Sequence, residues 1–444
     1  MNGENPATRD SPMSVSPEMS PQGESFVMPQ RKLLLLGCGL EQIEALRIAR
    51  ELGYRTVAFD NDPRAAGREH ADEFIRVDLK DPHALLGQAE IVSPDGVFVH
   101  AAELAVEAAC VAATFNLPGI RVDSARAATD KHLRIARLSK AGLSTPAYQV
   151  LSTEAQLEEW SEACRAIGFP CVLKPTGQAG ARGVEEIRNE TELTDYYRRR
   201  GEFKDSHFVC EARLVGCELS TESVAANGKI LHHALALRHY DTTEAYRPYF
   251  IEDGHSLPFE LAPEIRATVE QVIARSFEAL DIQDGVLKGD LLIDSNGRVH
   301  VLEMAARTSG GRFADTVVPL GTGVNILYPL IELAMGDAFT KDWFAPTRSV
   351  GVSQRFFLHE GEASVDRWPK LRELVSQPYV SEWRINDEFF REGRLPHITS
   401  HRDRFGYVIC TGATREEADA RALEITNAFG RDLQLSQVDE TTAQ

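Results

Sequence analysis

The sequence predicts an α/β protein, beginning with a doubly wound parallel sheet and continuing in mixed α+β segments to its end. Three observations lead there. Between Leu33 and Phe115 short apolar runs alternate with amphipathic helical segments, the pattern of parallel strands joined by crossover helices. Asn227-Gly228 and Asn296-Gly297 each sit between apolar runs, the strongest short-range hairpin signal. The chain has 444 residues, 43% hydrophobic and 26% charged, which suits about two to four ordinary globular domains.

The elements follow in order. Residues up to about 30 are rich in Pro, Ser, Met, Glu and Gly without periodicity; a disordered tail is predicted, and it lacks the apolar stretch of a secretory signal. Leu33–Leu36 is a buried strand turned by Gly37-Cys38-Gly39. The helix over Glu41–Leu52 presents Ile43, Leu46 and Ala49 on one face and stops at Gly53. Strands at Thr56–Phe59, Phe74–Val77 and Val97–Val99, then an Ala-rich helix over Ala102–Phe115, complete this first unit. Ser124 is placed to cap a helix running to Ala141, and Pro146 starts an extended linker. Thr153 with Gln156 forms a capping box for the next helix. Strands at Cys171–Lys174 and Phe208–Glu211 follow, with a glycine-bearing loop, Pro175–Gly183, after the first. Next come a hairpin (Glu218–Ala225 with Lys229–Leu237), a helix over Pro263–Leu280, the second hairpin and a helix over Val324–Met335. Mixed strands from about 350 lead to a last helix, Thr414–Phe429.

Composition excludes several function classes. A net charge of −19 argues against nucleic acid or an anionic membrane as partner. No apolar run approaches the roughly 20 residues of a membrane span. The seven cysteines are odd in number, scattered and without CxxC pairs, which argues against zinc and for a reduced cytoplasm.

The chemistry concentrates in VLKGDLLIDSNGRVHVLEMAAR. With a two-residue turn at Asn296-Gly297, Ser295 faces Arg298, Asp294 faces Val299, Ile293 faces His300 and Asp290 faces Glu303. Opposed side chains share one face, roughly 5 Å apart. Two carboxylates there repel unless a cation lies between them, and a hard divalent ion suits oxygen ligands. Arg307 and the flexible Thr308-Ser309-Gly310-Gly311 loop follow, so the stretch fits Mg²⁺-held phosphates. Lys174 ends a strand before the glycine loop, whose backbone N–H groups are able to cover phosphates, although the GxxxxGK[ST] order is absent. Lys131 lies near a helix start. Glu211 and Glu218 bracket a turn and can accept from a ribose hydroxyl or an adenine amino group. Glu252 and His255 lie in a polar, aromatic stretch suited to lining a substrate site. Arg312 is placed to pair with a substrate carboxylate. His232, His233 and His239 are not read as metal ligands.

In order and spacing, Lys131, Lys174-Pro175 with its glycine loop, Glu211, Glu218, Asp290, Glu303 and Arg307 resemble the ATP-grasp family, and more narrowly its carboxylate–amine ligases. The resemblance covers roughly residues 32–435. It implies a Rossmann-like domain at 31–122 and an ATP-grasp domain at 123–340, two α+β subdomains clasping ATP, with a small lid at about 150–215. A C-terminal α+β subdomain would occupy 341–444. It also implies roles. Lys131 and Lys174 would bind ATP phosphates. The loop carrying Gly177, Gly180 and Gly183 would close over them. Glu211 and the backbone near Leu214 would meet adenine, and Glu218 the ribose. Asp290 and Glu303 would hold one or two Mg²⁺ ions, Mn²⁺ being compatible, and Arg307 would stabilise the transferred phosphoryl group. The expected activity phosphorylates a small carboxylate, of an amino acid first of all, and couples it to an amine as an amide, with ADP and phosphate released. A cytoplasmic homodimer is the usual form. One position departs: the family's metal-binding Asn is Ala305 here. Purine-pathway or bicarbonate-using ligases, and an ATP-binding regulator without turnover, are the alternatives. A nicotinamide enzyme is disfavoured because the third fingerprint glycine is Ile43.

Overall fold

The computed structural model describes residues 30–362, 369–386, 394–395 and 397–441; the expected N-terminal tail lies outside the described residues. The first sheet is parallel, in the order β3-β2-β1-β4, built from β1 (Lys32–Leu36), β2 (Arg55–Asp60), β3 (Glu73–Arg76) and β4 (Gly96–Phe98). Helix α1 (Ile43–Glu51) crosses from β1 to β2 and α2 (Pro82–Val92) from β3 to β4, and α3 (Ala105–Phe115) follows β4. Alternate residues of β1 bury on opposite faces. Leu33 and Leu35 join the core with α1, and Leu34 and Leu36 the one with α2 and α3. Coverage on both faces is why this strand reads as an unbroken apolar run. Helix α2 was absent from the expectation, although Asp81 caps it and Pro82 opens it, a regular start signal.

The helix expected over 124–141 is two: α4 (Val122–Thr129) and α5 (Lys131–Lys140). Asp130 leaves the helical region at φ −77°, ψ 124°, and its side chain accepts from Leu133 N. An Asx residue that can cap competes with helix continuation. Ser124 lies inside α4 and donates to Asp281 O at 2.8 Å.

A second four-stranded sheet runs β5-β8-β6-β7, from β5 (Tyr148–Ser152), β6 (Cys171–Pro175), β7 (Glu185–Ile187) and β8 (His207–Ala212), backed by α6 (Leu157–Ile167) and α7 (Glu190–Arg199). The expected linker after Pro146 is β5. The capping box of α6 is formed by Gln156 and Glu159, while the Thr153 hydroxyl donates to Asp205 O. Trp160, Tyr196 and Phe208 fill the core of this unit, Trp160 and Phe208 with centroids 5.1 Å apart. Cys164, Cys171 and Cys210 also meet there, their sulfurs within 4.8 Å of one another. These three thiols come from separate elements, so no CxxC spacing announced them.

An eight-stranded sheet, β13-β12-β9-β10-β11-β14-β18-β16, carries the rest. It contains β9 (Cys217–Ala226), β10 (Lys229–His239), β11 (Gly254–Leu257), β12 (Gly285–Ile293), β13 (Val299–Ala305), β14 (Gly351–Phe356), β16 (Val380–Ile385) and β18 (Gly406–Gly412). A small pair, β15 (Gly361–Glu362) with β17 (Arg394–Leu395), stands beside it. Helices α8 (Pro263–Ala279), α9 (Val318–Thr322), α10 (Leu327–Met335), α11 (Pro369–Val375) and α12 (Arg415–Thr441) complete the chain.

The two Asn-Gly hairpins differ. At Asn227-Gly228 both residues have positive φ, 50° and 70°, and Ala226 pairs with Lys229, a two-residue type I′ turn. At Asn296-Gly297 only Gly297 is left-handed, at 78°. Asp294 N donates to Arg298 O at 3.0 Å, so the loop has three residues, and Ile293 pairs with Val299 rather than His300. A register shift between Asp290 and Leu291 then restores the opposition of Asp290 and Glu303. The bulge cancels the one-residue offset of the turn, so the expected pair forms by a different route.

Candidate active site

Between the β5–β8 sheet and the large sheet lies a cavity whose lining is of two kinds. Val172, Leu214, Phe250, Leu292 and Leu302 supply apolar walls. Lys131, Lys174, Glu211, Asp290, Glu303 and His401 supply charged and polar groups, with Gly180 among them. Apolar walls together with cationic and carboxylate groups match a nucleotide with its phosphates.

The Lys174 ammonium donates to the Glu211 carboxylate, from neighbouring strands β6 and β8. The two are thus paired with each other. Glu218 lines the cavity from β9; burial raises its pKa, opposed by Arg238 and reinforced by Asp290. Of the three glycines, only Gly180 lines this cavity. Gly177 N–H is spent on Asp205 Oδ1 at 2.6 Å. Gly183 packs against Phe203 and Pro175, and its carbonyl accepts from the Tyr196 hydroxyl at 2.7 Å. The expected phosphate cover therefore narrows to the loop around Gly180.

Asp290 and Glu303 face each other as expected, and the cations between them come from the chain itself. Lys288 donates to Asp290 Oδ2 and lies 3.4 Å from Glu303 Oε2. Arg238 Nη1 is 2.7 Å from Asp290 Oδ2, and Arg134 Nη2 is 3.3 Å from Glu303 Oε1. Lys288, Arg134, Lys131 and Arg307 hold the Glu303 carboxyl well below the usual range against its burial. Asp290 Oδ1 is buried without a hydrogen-bond partner. An orphaned carboxylate oxygen beside a second carboxylate is a donor set for a hard cation, so the residues fit Mg²⁺.

Other expected residues stand apart from the cavity. Arg307 is directed to the first domain: its Nε lies 2.7 Å from Glu103 Oε1, and Nη2 reaches the same oxygen. Glu252 accepts from Arg238 Nη2 at 2.8 Å and lies 2.9 Å from His255 Nδ1, so both join Asp290 through one guanidinium. His255 Nε2 is buried without a partner. Arg312 does not present a free guanidinium. It donates to Asp315 and lies 3.1 Å from both oxygens of Glu382, two carboxylates that already satisfy it. His233 meets Glu270, and His239 meets Ser256 at 2.9 Å.

The comparisons with known proteins come down on one side. The family model described as D-ala D-ala ligase C-terminus matches residues 138–311. The solved L-amino acid ligase from Bacillus licheniformis aligns over 90% of this chain and 98% of its own, at TM-score 0.75 and 20% identity. Over residues 138–311 the chain carries an ATP-grasp ligase domain, and the fold of the solved ligase extends over most of the chain. Among curated proteins, the uncharacterized protein y4rH of Sinorhizobium fredii is 24% identical over 372 residues, 79% of this chain and 72% of that one. The D-alanine–D-alanine ligase of Bordetella petrii is 26% identical over 185 residues, 40% of this chain and 54% of that one. Similarity to this second ATP-grasp relative thus spans about half its length.

The sequence reading missed Arg134, Arg238 and His401 in the cavity lining, and Lys288, which pairs with Asp290. Two had local signals. Lys288 precedes Asp290 by two residues on one strand and so shares its face. Arg134 follows Lys131 by three on one helix. Arg238 and His401 are brought in only by the tertiary fold.

Burial pulls the Lys131 ammonium down to about 8; Glu303 opposes the drop, and Arg134 and Lys174 add to it. Because its folded value is below the unfolded one, Lys131 costs stability when protonated, and that cost is relieved as pH rises from about 8. A phosphate beside it reverses the shift. Nucleotide binding is therefore expected to take up protons near pH 8 and none near pH 6, with affinity falling above pH 8. Calorimetry in two buffers of different ionisation enthalpy reads the uptake. Its absence at pH 8 would remove Lys131 from the phosphate site.

Proposed function

We propose that this chain is an ATP-dependent carboxylate–amine ligase. The ATP-grasp ligase domain supports the ligase class; the acid and the amine, an amino acid in each role, are our reading. The observation that carries it is the Asp290–Glu303 pair in the cavity, with the orphaned Asp290 Oδ1 between Arg238 and Lys288. The reading keeps the division into a Rossmann-like domain at 31–122, an ATP-grasp domain at 123–340 with its lid at about 150–215, and a C-terminal subdomain at 341–444. It places the protein in the cytoplasm as a homodimer. All seven cysteines are free, which supports a reducing compartment, and no helix among the described residues is long and apolar enough to cross a membrane.

A carboxylate is a poor electrophile towards an amine, and phosphorylation supplies a leaving group. The substrate carboxylate attacks the terminal phosphate of ATP and ADP departs. The amine then displaces phosphate to form the amide. Positioning and charge neutralisation do most of this work. Bound Mg²⁺, held by Asp290 and Glu303, would neutralise phosphate charge. Lys131 and Lys174 grip phosphate oxygens, Lys174 leaving Glu211 free to accept from the base. Lys288 and Arg134 keep the Glu303 carboxylate ionised, and Lys288 also pairs with Asp290. Arg307, outside the nucleotide cavity and facing Glu103, offers its guanidinium to the acyl phosphate at the border of the first domain.

ATP turnover with Mg²⁺ against pooled amino acids and small acids, resolving ADP from AMP, tests the reading. ADP and phosphate formed only with certain pools are expected, and splitting those pools names both substrates. AMP would replace acyl phosphate by adenylation. A second reading, an ATP-binding regulator, is favoured by Ala305, a buried methyl where the family places a metal ligand; ATP binding with no turnover in any pool would select it.

A further inference from the structure

The segment Ser400–Arg404 lies far along the chain from the β5–β8 sheet, yet it enters the nucleotide cavity. Ser400 caps a single tight turn, His401–Asp403. Asp403 Oδ2 accepts from Thr399 N at 3.0 Å, from Ser400 N at 2.8 Å and from both hydroxyls, so the turn is held rigidly. His401 N donates to Gly180 O at 3.0 Å. This joins the segment to the one glycine of the loop that faces the cavity. Behind it, Arg404 Nε donates to His401 O at 3.0 Å, and its guanidinium lies 3.7 Å over the Phe356 ring.

The His401 ring has a defined donor. Glu252 N donates to Nε2 at 3.3 Å, so Nε2 is the acceptor and the proton of the neutral ring sits on Nδ1. Nδ1 has no hydrogen-bond partner among the described residues, and the ring lines the cavity with Lys131, Asp290 and Glu303. Burial holds the ring pKa down to about 3; Arg404, Arg238 and Lys288 add to the shift and Glu252 opposes it. The site thus presents a neutral N–H, not an imidazolium, to a cavity already rich in ammonium and guanidinium groups. A fixed neutral donor contributes direction without further like-charge repulsion.

We propose that His401 is a ligand of the terminal phosphate of a bound nucleoside triphosphate, its Nδ1–H donating to a γ-phosphate oxygen while its backbone N–H holds Gly180 over the phosphates. The proposal rests on the reading of the cavity as an ATP site. It assigns the C-terminal part of the chain a direct contact with the nucleotide, and hence a means of distinguishing triphosphate from diphosphate. The geometry favours the terminal phosphate because His401 is joined to Asp290 through Glu252 and Arg238, a network that does not include Glu211, the acceptor assigned to the base.

Binding of ADP and of the imido analogue of ATP, both with Mg²⁺, tests it in the full-length protein without any acid or amine. His401→Ala is expected to weaken the analogue about tenfold, the loss of one hydrogen bond to a charged acceptor, and to leave ADP nearly unchanged. His401→Asn, whose amide N–H is placed much as Nδ1–H, should recover most of that loss. It also serves if the Ala variant does not fold. Equal weakening of both nucleotides, weakening of ADP alone, or no change in either variant would overturn the proposal. Failure of the parent protein to bind either nucleotide would instead overturn the ATP reading itself, so the two failures are distinguishable.

Discussion

Glu303→Gln is expected to lower Mg²⁺-dependent turnover by at least about 100-fold, the scale on which a single preorganised electrostatic group acts in a water-poor site, while the protein stays folded. The change is isosteric and removes only charge. In the folded chain Glu303 is surrounded by Lys288, Arg134, Lys131 and Arg307. Its depressed pKa means that it contributes stability above the ordinary Glu range and loses that contribution as pH falls below it. The Gln variant should therefore melt somewhat lower than the parent at neutral pH, with the gap narrowing on acidification. Turnover is read as ADP release at saturating Mg²⁺, alongside a melting curve. Turnover equal to the parent's would sink the metal assignment.

Arg307→Ala is expected to reduce kcat by about 1,000-fold, the lower range for a guanidinium that stabilises a transferring phosphoryl group, with ATP affinity near that of the parent. The structure motivates the split. Arg307 lies outside the nucleotide cavity and reaches Glu103 on the first domain, so a resting nucleotide gains little from it. Measuring kcat and nucleotide affinity separately distinguishes transition-state from ground-state binding. A loss in affinity with kcat preserved would move Arg307 into nucleotide binding. Glu103→Gln is an informative companion, because it leaves the guanidinium in place and removes the carboxylate that aims it.

Much of the fold was legible because local patterns sufficed. Leu33–Leu36, buried on both faces, announces a central parallel strand, and the Asn-Gly pairs announce hairpins. The failures have local causes too. Asp130 looked like an interior helical residue because nothing upstream marked it as a cap. At Asn296-Gly297 the dipeptide was right and the turn type was not, since Asn296 keeps a negative φ. The Asp290–Glu303 pairing survived because a bulge offset the turn, a compensation that no reading of the turn residues alone can reach.

The site was legible where chemistry and spacing coincide, as at Lys131, Lys174, Asp290 and Glu303. It was not legible where a group's fate depends on a distant partner. Nothing near Gly177 says that Asp205 takes its N–H, and nothing near Arg312 says that Glu382 satisfies its guanidinium. Arg238 is the strongest case. It links Glu252 with Asp290, yet it sits in an unremarkable strand where only the sheet brings the three together.

The eight-stranded sheet has a consequence for how this gene can be dissected. Strands from the Asp290–Glu303 pair at one edge to β16 at the other form one hydrogen-bonded ladder, with β14 laid against β11 and β18 against β14. A chain stopped near residue 340 would leave β11 as a raw edge, its backbone donors and acceptors open to any passing strand. It would also lose Arg355, which ties Asp253 to Asp419. Removing the C-terminal quarter therefore risks insolubility before it tests function, and point changes are the safer way to ask what that quarter does.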